Sequence, residues 1–345
     1  MTLTAPNLNA LPAPEIISVL DFEAVFAEMK AELLRLEPSL ATVLEIESEP
    51  ITKLAQAVSY RILHERKLAN DQAQGLMLAT ASGAQLDHLG ALPFISTVRQ
   101  VIAPADNSTN PITEAILESD TDYRARLQLA LEGYTTAGSI GSYIYHGLAA
   151  SSDVKDIAIA TPTFVAGSTS DLIHEQGGGR TAATGSTNGS TITLTPTDTV
   201  GLDVPLPGDV AITVLSRTGN GAAPQSTLDA VATKLTAETI RPITDRPRVR
   251  SAEILEYAID AKVFFDSTAP DQGIILAAAK ASAERYVSDL HRIGRDVTIS
   301  GLHAAIHQAG IVKVALNSPS SDLVINEREA GYCTSITLNN AGVME

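Results

Sequence analysis

Between residues 207 and 316 the apolar residues change period repeatedly, from every second position to every third or fourth and back, and few folds accept that rhythm. The segment P-G-D-V-A-I-T-V-L-S (207–216) alternates, with Val210, Ile212 and Val214 on one side. Residues 225–240 carry Leu228, Val231 and Leu235 at helical spacing. The stretch I-L-E-Y-A-I-D-A-K-V-F-F (254–265) alternates again and groups Tyr257, Ile259, Ala261, Val263 and Phe265. Residues 271–290 return to the helical period with Ile275, Ala279, Tyr286, Val287 and Leu290 on one stripe. Ser300 is placed to cap a short helix that Gly310 stops, and I-V-K-V-A-L (311–316) reads as a strand. This order predicts an open α/β sandwich with its helices on one face of a mixed sheet.

Upstream the periods are mostly helical. Asp21 can cap a helix over 22–36 in which Phe22, Val25, Phe26, Met29 and Leu33 share a face, and Pro38 ends it. A second helix follows Pro50 and runs to about residue 75, with Ile51, Leu54, Val58 and Ile62 on the stripe expected to be buried. A turn, a short helix and a glycine stop fit A-S-G-A-Q-L-D-H-L-G (81–90). In E-S-D-T-D-Y-R-A-R-L-Q-L-A-L-E-G-Y (118–134), Ser119 can accept from first-turn amides and Asp120 and Asp122 suit the positive helix end. Leu127, Ala130 and Leu131 are expected to bury one side of that helix. A further helix over 138–149 and a strand over 154–160 follow.

The resulting expectation is a multi-domain α+β, or mixed α/β, chain: an N-terminal helical module followed by α/β sandwich domains with helices packed on mixed sheets. Residues 1–20, with Pro6, Pro12 and Pro14, form an extended arm; 21–92 form the helical module; 93–165 form a central α/β domain. Residues 166–200 form a Gly/Ser/Thr-rich insertion or hairpin, and 201–345 form a C-terminal α/β domain.

Charge narrows the partners. The chain has 40 acidic against 24 basic residues, a formal net charge of −16, and no run of Lys or Arg. Phosphate surfaces of nucleic acid or membrane would repel it. The start lacks the basic and apolar regions of a signal peptide, and no stretch approaches the ~20 apolar residues of a membrane span. Cys333 stands alone, so neither an intrachain disulfide nor a multi-cysteine metal site is expected.

Candidate chemistry dissolves on inspection. His303 and His307 in H-A-A-I-H share a helical face, but Ala304 stands where a zinc protease needs Glu, and the buried side is expected to be Leu302, Ala305, Ile306 and Ala309. The other histidines, His64, His88, His146, His174 and His291, are isolated in sequence. G-G-G-R (177–180) lacks the G-K-[ST], the preceding strand and the following helix of a phosphate loop. No G-x-S-x-G elbow occurs, and Cys333 has no activating His nearby. The expectation is therefore no catalytic residues, no metal ligands and no cofactor.

The segment R-P-I-T-D-R-P-R-V (241–249) is basic in an acidic chain. Each proline biases the preceding residue away from the helical region, so the segment reads as a stiff elbow from helix into strand, with Asp245 able to accept from nearby amides or to pair with Arg246 or Arg248. Arg241, Arg246 and Arg248 are also the candidate interface residues, able to grip acidic groups on a neighbouring subunit at ~0–1 kcal/mol per exposed pair.

Taken in order, E-S-D-T-D-Y-R-A-R-L, T-A-G-S-I-G-S-Y, P-G-D-V-A-I-T-V-L-S, A-E-T-I-R-P-I-T-D-R-P-R-V and A-G-Y-C-T-S-I-T-L resemble the baseplate J-like proteins of contractile-tailed phages and phage-tail-like particles, over roughly residues 20–340. The resemblance implies a non-enzymatic wedge subunit of the tail baseplate, made in the bacterial cytoplasm and located in the virion or tail-like particle. It implies a ring around the central hub and tube, and coupling of baseplate rearrangement to sheath contraction. The implied partners are other copies of the chain, a second wedge protein, and hub and sheath-proximal tail proteins, with no nucleic acid and no membrane insertion. The insertion over 166–199 matches least. Two other classes stay open at this point: a host-recognition or surface-binding tail module, suggested by that insertion, and a cell-wall hydrolase.

Overall fold

A computed structural model of the chain describes residue 8 and residues 21–108, 111–134, 138–168, 183–187, 190–268 and 270–344. The proposed arm, apart from residue 8, and the G-G-G-R segment lie outside the described residues. Two compact units result, one from residues 21–100 and 117–128, the other from 101–116 and 129–344. The segment 93–165 is thus shared between them, since the chain leaves the first unit and returns to it.

The first unit is helical. Asp21 caps α1 (Phe22–Leu36) by accepting from the Glu23 amide at 3.0 Å, and the helix buries Val25 and Phe26. Helix α2 (Pro50–Gln74) starts on proline, which suits a position with no amide bond to lose. Its buried residues are Thr52, Ala55, Ser59 and Asn70, not the stripe of large apolar residues that periodicity selects: Leu54 is 64% exposed and Val58 is also exposed. Small residues let neighbouring backbone come close, and the Ser59 hydroxyl satisfies itself on the Ala55 carbonyl at 2.8 Å. Helices α3 (Gly83–Gly90) and α4 (Asp120–Leu129) meet over Ala81, Leu86, Tyr123 and Leu127, backed by Leu78, Leu89 and Ile95. Leu127 and Ala130 are buried as expected, but Leu131 is exposed, because the helix tightens into a 3-10 turn at Ala130–Tyr134 and rotates it outward.

Two short strands, β1 (Val101–Ala103) and β2 (Ile116–Leu117), precede α4 in the chain. Most of the second unit is built on two small mixed sheets, and the strands of residues 207–316 divide between them instead of sharing the one sheet expected for that stretch. The first joins β3 (Val154–Ala160) and the later strands β7 (Asp209–Ser216) and β8 (Arg246–Ser251), antiparallel then parallel. Between β3 and β7, strands β4 (Thr163–Ser168), β5 (Ala183–Thr187) and β6 (Ser190–Asp198) form a separate antiparallel sheet in the order β4-β6-β5. All eight residues of β7 are buried, so its alternation does not mark a solvated face. Helices α5 (Ile140–Leu148) and α6 (Gln225–Thr236) close this core with Tyr143, Val231 and Leu235 against Ile157, Ile212 and Val214. Helix α6 stops four residues short of the expected end, where Ala237 leaves the helical region ahead of Pro242.

Asp153, just before β3, is a polar hub of this layer. Its carboxylate accepts from the hydroxyls of Ser216 at 2.8 Å, Thr218 at 3.1 Å and Thr227 at 2.7 Å. Burial works against its charge, but the three hydroxyls and the Thr218 amide outweigh that and hold its carboxyl below the usual range.

The second sheet has the order β10-β9-β11, with β9 (Glu253–Asp266) central, β10 (Ile311–Ser318) antiparallel and β11 (Glu329–Met344) parallel to it. Tyr257, Ile259, Ala261, Val263 and Phe265 are all buried, as the alternation requires. Helix α7 (Gln272–Leu290) covers them with Ala279 and Ala283, and α8 (Ile299–Ile306) adds Leu302 and Ile306. Thr298, not Ser300, caps α8 by accepting from the Gly301 amide at 3.2 Å, while Ala309 is exposed beyond the helix end. One residue, Ala252, separates β8 from β9. Ala252 packs with Leu215, Ile293 and Ala330, and this cluster ties the two sheets together. The Asp156 carboxylate of β3 adds a hydrogen bond from the Ile293 amide at 3.0 Å.

Phe265→Ala is expected to cost ~3–5 kcal/mol by emptying the centre of the second sheet's core, read by urea denaturation. Because the folded-state pKa of Asp153 is depressed, its stabilisation is present above the ordinary carboxylate pKa of ~3.9 and is lost as pH falls through the folded value. Asp153→Asn is therefore expected to flatten the acid limb of stability against pH while lowering stability at neutral pH.

Candidate functional site

The motif E-S-D-T-D-Y-R-A-R is consumed in holding the first unit together. Glu118 is fully buried and takes a two-pronged bond from Arg126, Nε to Oε1 at 2.8 Å and Nη2 to Oε2 at 2.6 Å. Arg126 also donates to the Val98 carbonyl at 2.8 Å. Arg99 spans Asp87 and Asp120, each at 2.7 Å, donates to the Glu118 carbonyl at 2.7 Å, and lies over the Tyr123 ring. The Tyr123 hydroxyl donates to the Thr97 carbonyl at 2.7 Å. Arg124 donates to the carbonyls of Leu78 and Ala81 at 2.7 and 2.6 Å. Ser119 accepts from the Asp122 amide at 3.2 Å, as the sequence suggests. Asp120 does more than start a helix, since it also receives the Gly83 amide at 3.0 Å. Periodicity could not find Glu118, Arg99 and Arg126. The only hint is the density of opposite charges between 118 and 126.

The arginine elbow is likewise anchored within the chain. The fully buried Asp209, at the start of β7, accepts from Arg246 Nε at 3.0 Å and Nη2 at 2.8 Å, with Arg248 at 3.9 Å on its other oxygen. Asp245 does not pair with these arginines, one of the two roles the sequence offers it. Asp245 instead accepts from the Tyr143 hydroxyl at 3.0 Å and from Thr244, because β7 and β8 lie parallel and bring Asp209 opposite Arg246. Burial, and then that bond to Asp245, raise the Tyr143 hydroxyl well above its ordinary pKa. Arg241 donates to the Asp245 carbonyl at 2.8 Å, and its buried Nε has no partner among the described residues. Gly208 has φ of 88° and faces the Thr244 carbonyl so closely that a Cβ would collide with it. Outward, the side chains of Arg246 and Arg248 keep 43% and 50% exposure, and Ile243 at the loop tip is 96% exposed.

The remaining candidates stay dispersed. His303 is half-buried within α8 and His307 is exposed at its end. Among the described residues, no three His, Cys, Asp or Glu side chains group so as to hold a metal ion. Burial lowers the His291 pKa, and its Nδ1 lies 2.7 Å from the Gly331 carbonyl; burial raises the pKa of the Cys333 thiol, which keeps it protonated. Among the described residues, no helix is long and apolar enough to cross a membrane.

What stands out instead is the outer line of α2. Successive turns align Leu54, Val58, Arg61, Glu65 and Leu68, all exposed. An Arg61–Glu65 ion pair at 2.6 Å sits between the apolar ends. Leu54, Val58 and Leu68 thus leave apolar side chains on the outer line of the helix, on either side of that ion pair.

The Baseplate J-like N-terminal domain matches residues 47–106, and the Baseplate J-like protein C-terminal domain matches residues 257–339. Baseplate protein J of Escherichia phage P2 is 38% identical over 341 residues, covering 97% of this chain and 98% of that protein. A chain from the cryo-EM structure of the anti-feeding prophage baseplate is 15% identical and aligns with 36% of this chain and 29% of its own length, at a TM-score of 0.27. The chain belongs to the baseplate J-like family. It is a structural subunit of a phage-type baseplate, and its place is the virion.

Removing one partner of a buried ion pair leaves the other uncompensated. Glu118→Ala is expected to destabilise the helical unit by ~3–5 kcal/mol, whereas replacing both Glu118 and Arg126 with apolar residues recovers most of the loss, read by chemical denaturation.

Proposed function

We propose that the chain is a wedge subunit of a contractile-tail baseplate, which joins copies of itself and a second wedge protein into a ring around the hub and passes baseplate rearrangement on to the sheath. Membership of the baseplate J-like family supports the setting. The observation that carries the assembly role is the exposed line of Leu54, Val58 and Leu68 on α2, apolar surface that a lone soluble chain gains nothing by showing to water. Packing such a line against a partner helix contributes about 25 cal/mol per Å² of apolar area removed from water. In this reading the half-exposed heads of Arg246 and Arg248, with Arg241 bracing the loop behind them, meet acidic side chains of an adjoining subunit while staying anchored on Asp209. Ile243 supplies an apolar tip beside them.

The α2 line is open to a direct test. Leu54→Glu with Val58→Glu touches only exposed positions, so thermal stability is expected to stay within ~0.5 kcal/mol of the wild type. Light scattering of the chain mixed with the neighbouring tail proteins is expected to show complexes for the wild type and their loss for the double variant. Equal masses for both chains, or a wild type that stays monomeric in every mixture, would end this assignment.

A further inference from the structure

Two arginines of the second unit converge beside Gly201, and neither head bonds a carboxylate of the described residues. Arg250 of β8 donates Nε to Thr213 Oγ1 at 3.1 Å, Nη1 to the Gly201 carbonyl at 2.9 Å and Nη2 to the Val200 carbonyl at 2.6 Å, all neutral acceptors. Arg328, just before β11, is fixed through its backbone, accepting from the Glu253 amide at 3.0 Å and donating to Asn326 Oδ1 at 2.9 Å. Its guanidinium forms no hydrogen bond or ion pair with any described residue. The Nη1 atoms of both arginines crowd the place where a Cβ would stand on Gly201.

That convergence is built at some expense. Gly201 has φ of 75° and Val200 has φ of 43°, a conformation a β-branched residue rarely adopts, and together they turn both carbonyls onto Arg250. Any residue larger than glycine at 201 would close the space between the two heads. Burial, and then the nearby charge of Arg328, push Arg250 below the ordinary arginine value, and Glu253 counters this only through space. Gly201, beside both heads, is exposed.

We propose that Arg250 and Arg328 form a receptor for an oxyanion, and that its occupant in the assembled particle is an Asp or Glu carboxylate of an adjoining subunit, with inorganic phosphate offering the same chemistry. A guanidinium presents its donors as a planar fork that matches carboxylate or phosphate oxygens. An anion between the two heads replaces their mutual repulsion with two charge-assisted contacts. Partners are plentiful, since the chain itself carries 40 acidic residues. The receptor does not depend on the wedge assignment or on the α2 seam.

The test uses the full chain. Thermal melting in phosphate, against chloride at matched ionic strength, is expected to show a saturable rise in Tm for the wild type. Arg328→Ala, which breaks no hydrogen bond within the described chain, is expected to keep the wild-type circular dichroism and lose that rise. Arg328→Lys is expected to keep part of it. No phosphate-specific rise in the wild type, or the same rise in Arg328→Ala, would overturn the receptor. Sedimentation with neighbouring tail proteins separates the sources: phosphate competition and loss of association in Arg328→Glu identify a protein carboxylate. Association indifferent to both overturns that occupant and assigns the receptor to free phosphate.

Discussion

A carboxylate shut away from water must be matched where it lies, and Glu118 beside Arg126 shows how much chain that demands. Once Arg126 is committed to Glu118, its remaining donor fixes the Val98 carbonyl, and the Glu118 carbonyl in turn receives Arg99. Arg99 reaches Asp87 on α3 and Asp120 on α4, so two helices and the connecting chain are positioned by one charge requirement. The apolar core here is small, Ala81, Leu86, Tyr123 and Leu127 with a few neighbours, and could not dictate such an arrangement alone. The same logic operates in the second unit, where buried Asp209 draws Arg246 and Arg248 and so sets how the elbow enters β8.

These inward commitments bear on function. A change in the charge of such a side chain would break bonds that hold the fold. Asp120, Asp153 and Asp209 are of that kind. The surface shows the converse. Leu54, Val58 and Ile243 are exposed. For a member of the baseplate J-like family, a subunit whose work is done among neighbours, that division between a self-satisfied interior and an unsatisfied exterior is the expected one.

Much of the secondary structure was legible because local rules decide it. Asp21 ahead of Phe22, Pro50 at the start of α2 and the alternation from Tyr257 to Phe265 each act within a few residues. The misses fall where neighbours outvote periodicity. Helix α2 buries Ala55 and Ser59 and leaves Leu54 exposed, a choice of face that periodicity along the helix does not make. Thr298 displaced Ser300 as the cap of α8 because its backbone is extended while Ser300 is already helical. At the elbow, the basic character of residues 241–248 was plain, but its counter-charge lies 37 positions from Arg246 in sequence.

The sequence by itself determined most of the helices, the strands at Val154–Ala160, Asp209–Ser216, Glu253–Asp266 and Ile311–Ser318, the ordered family motifs and the excess of acid over base, since each depends on residue identity and short-range geometry. Only the tertiary structure decided that the strands divide into two mixed sheets at Ala252 and that Glu118 and Asp209 are the buried charges to be matched. It also decided which side of α2 faces water. Those outcomes turn on which distant backbone comes within bonding distance, and that is set by three-dimensional packing of the chain rather than by any window along it.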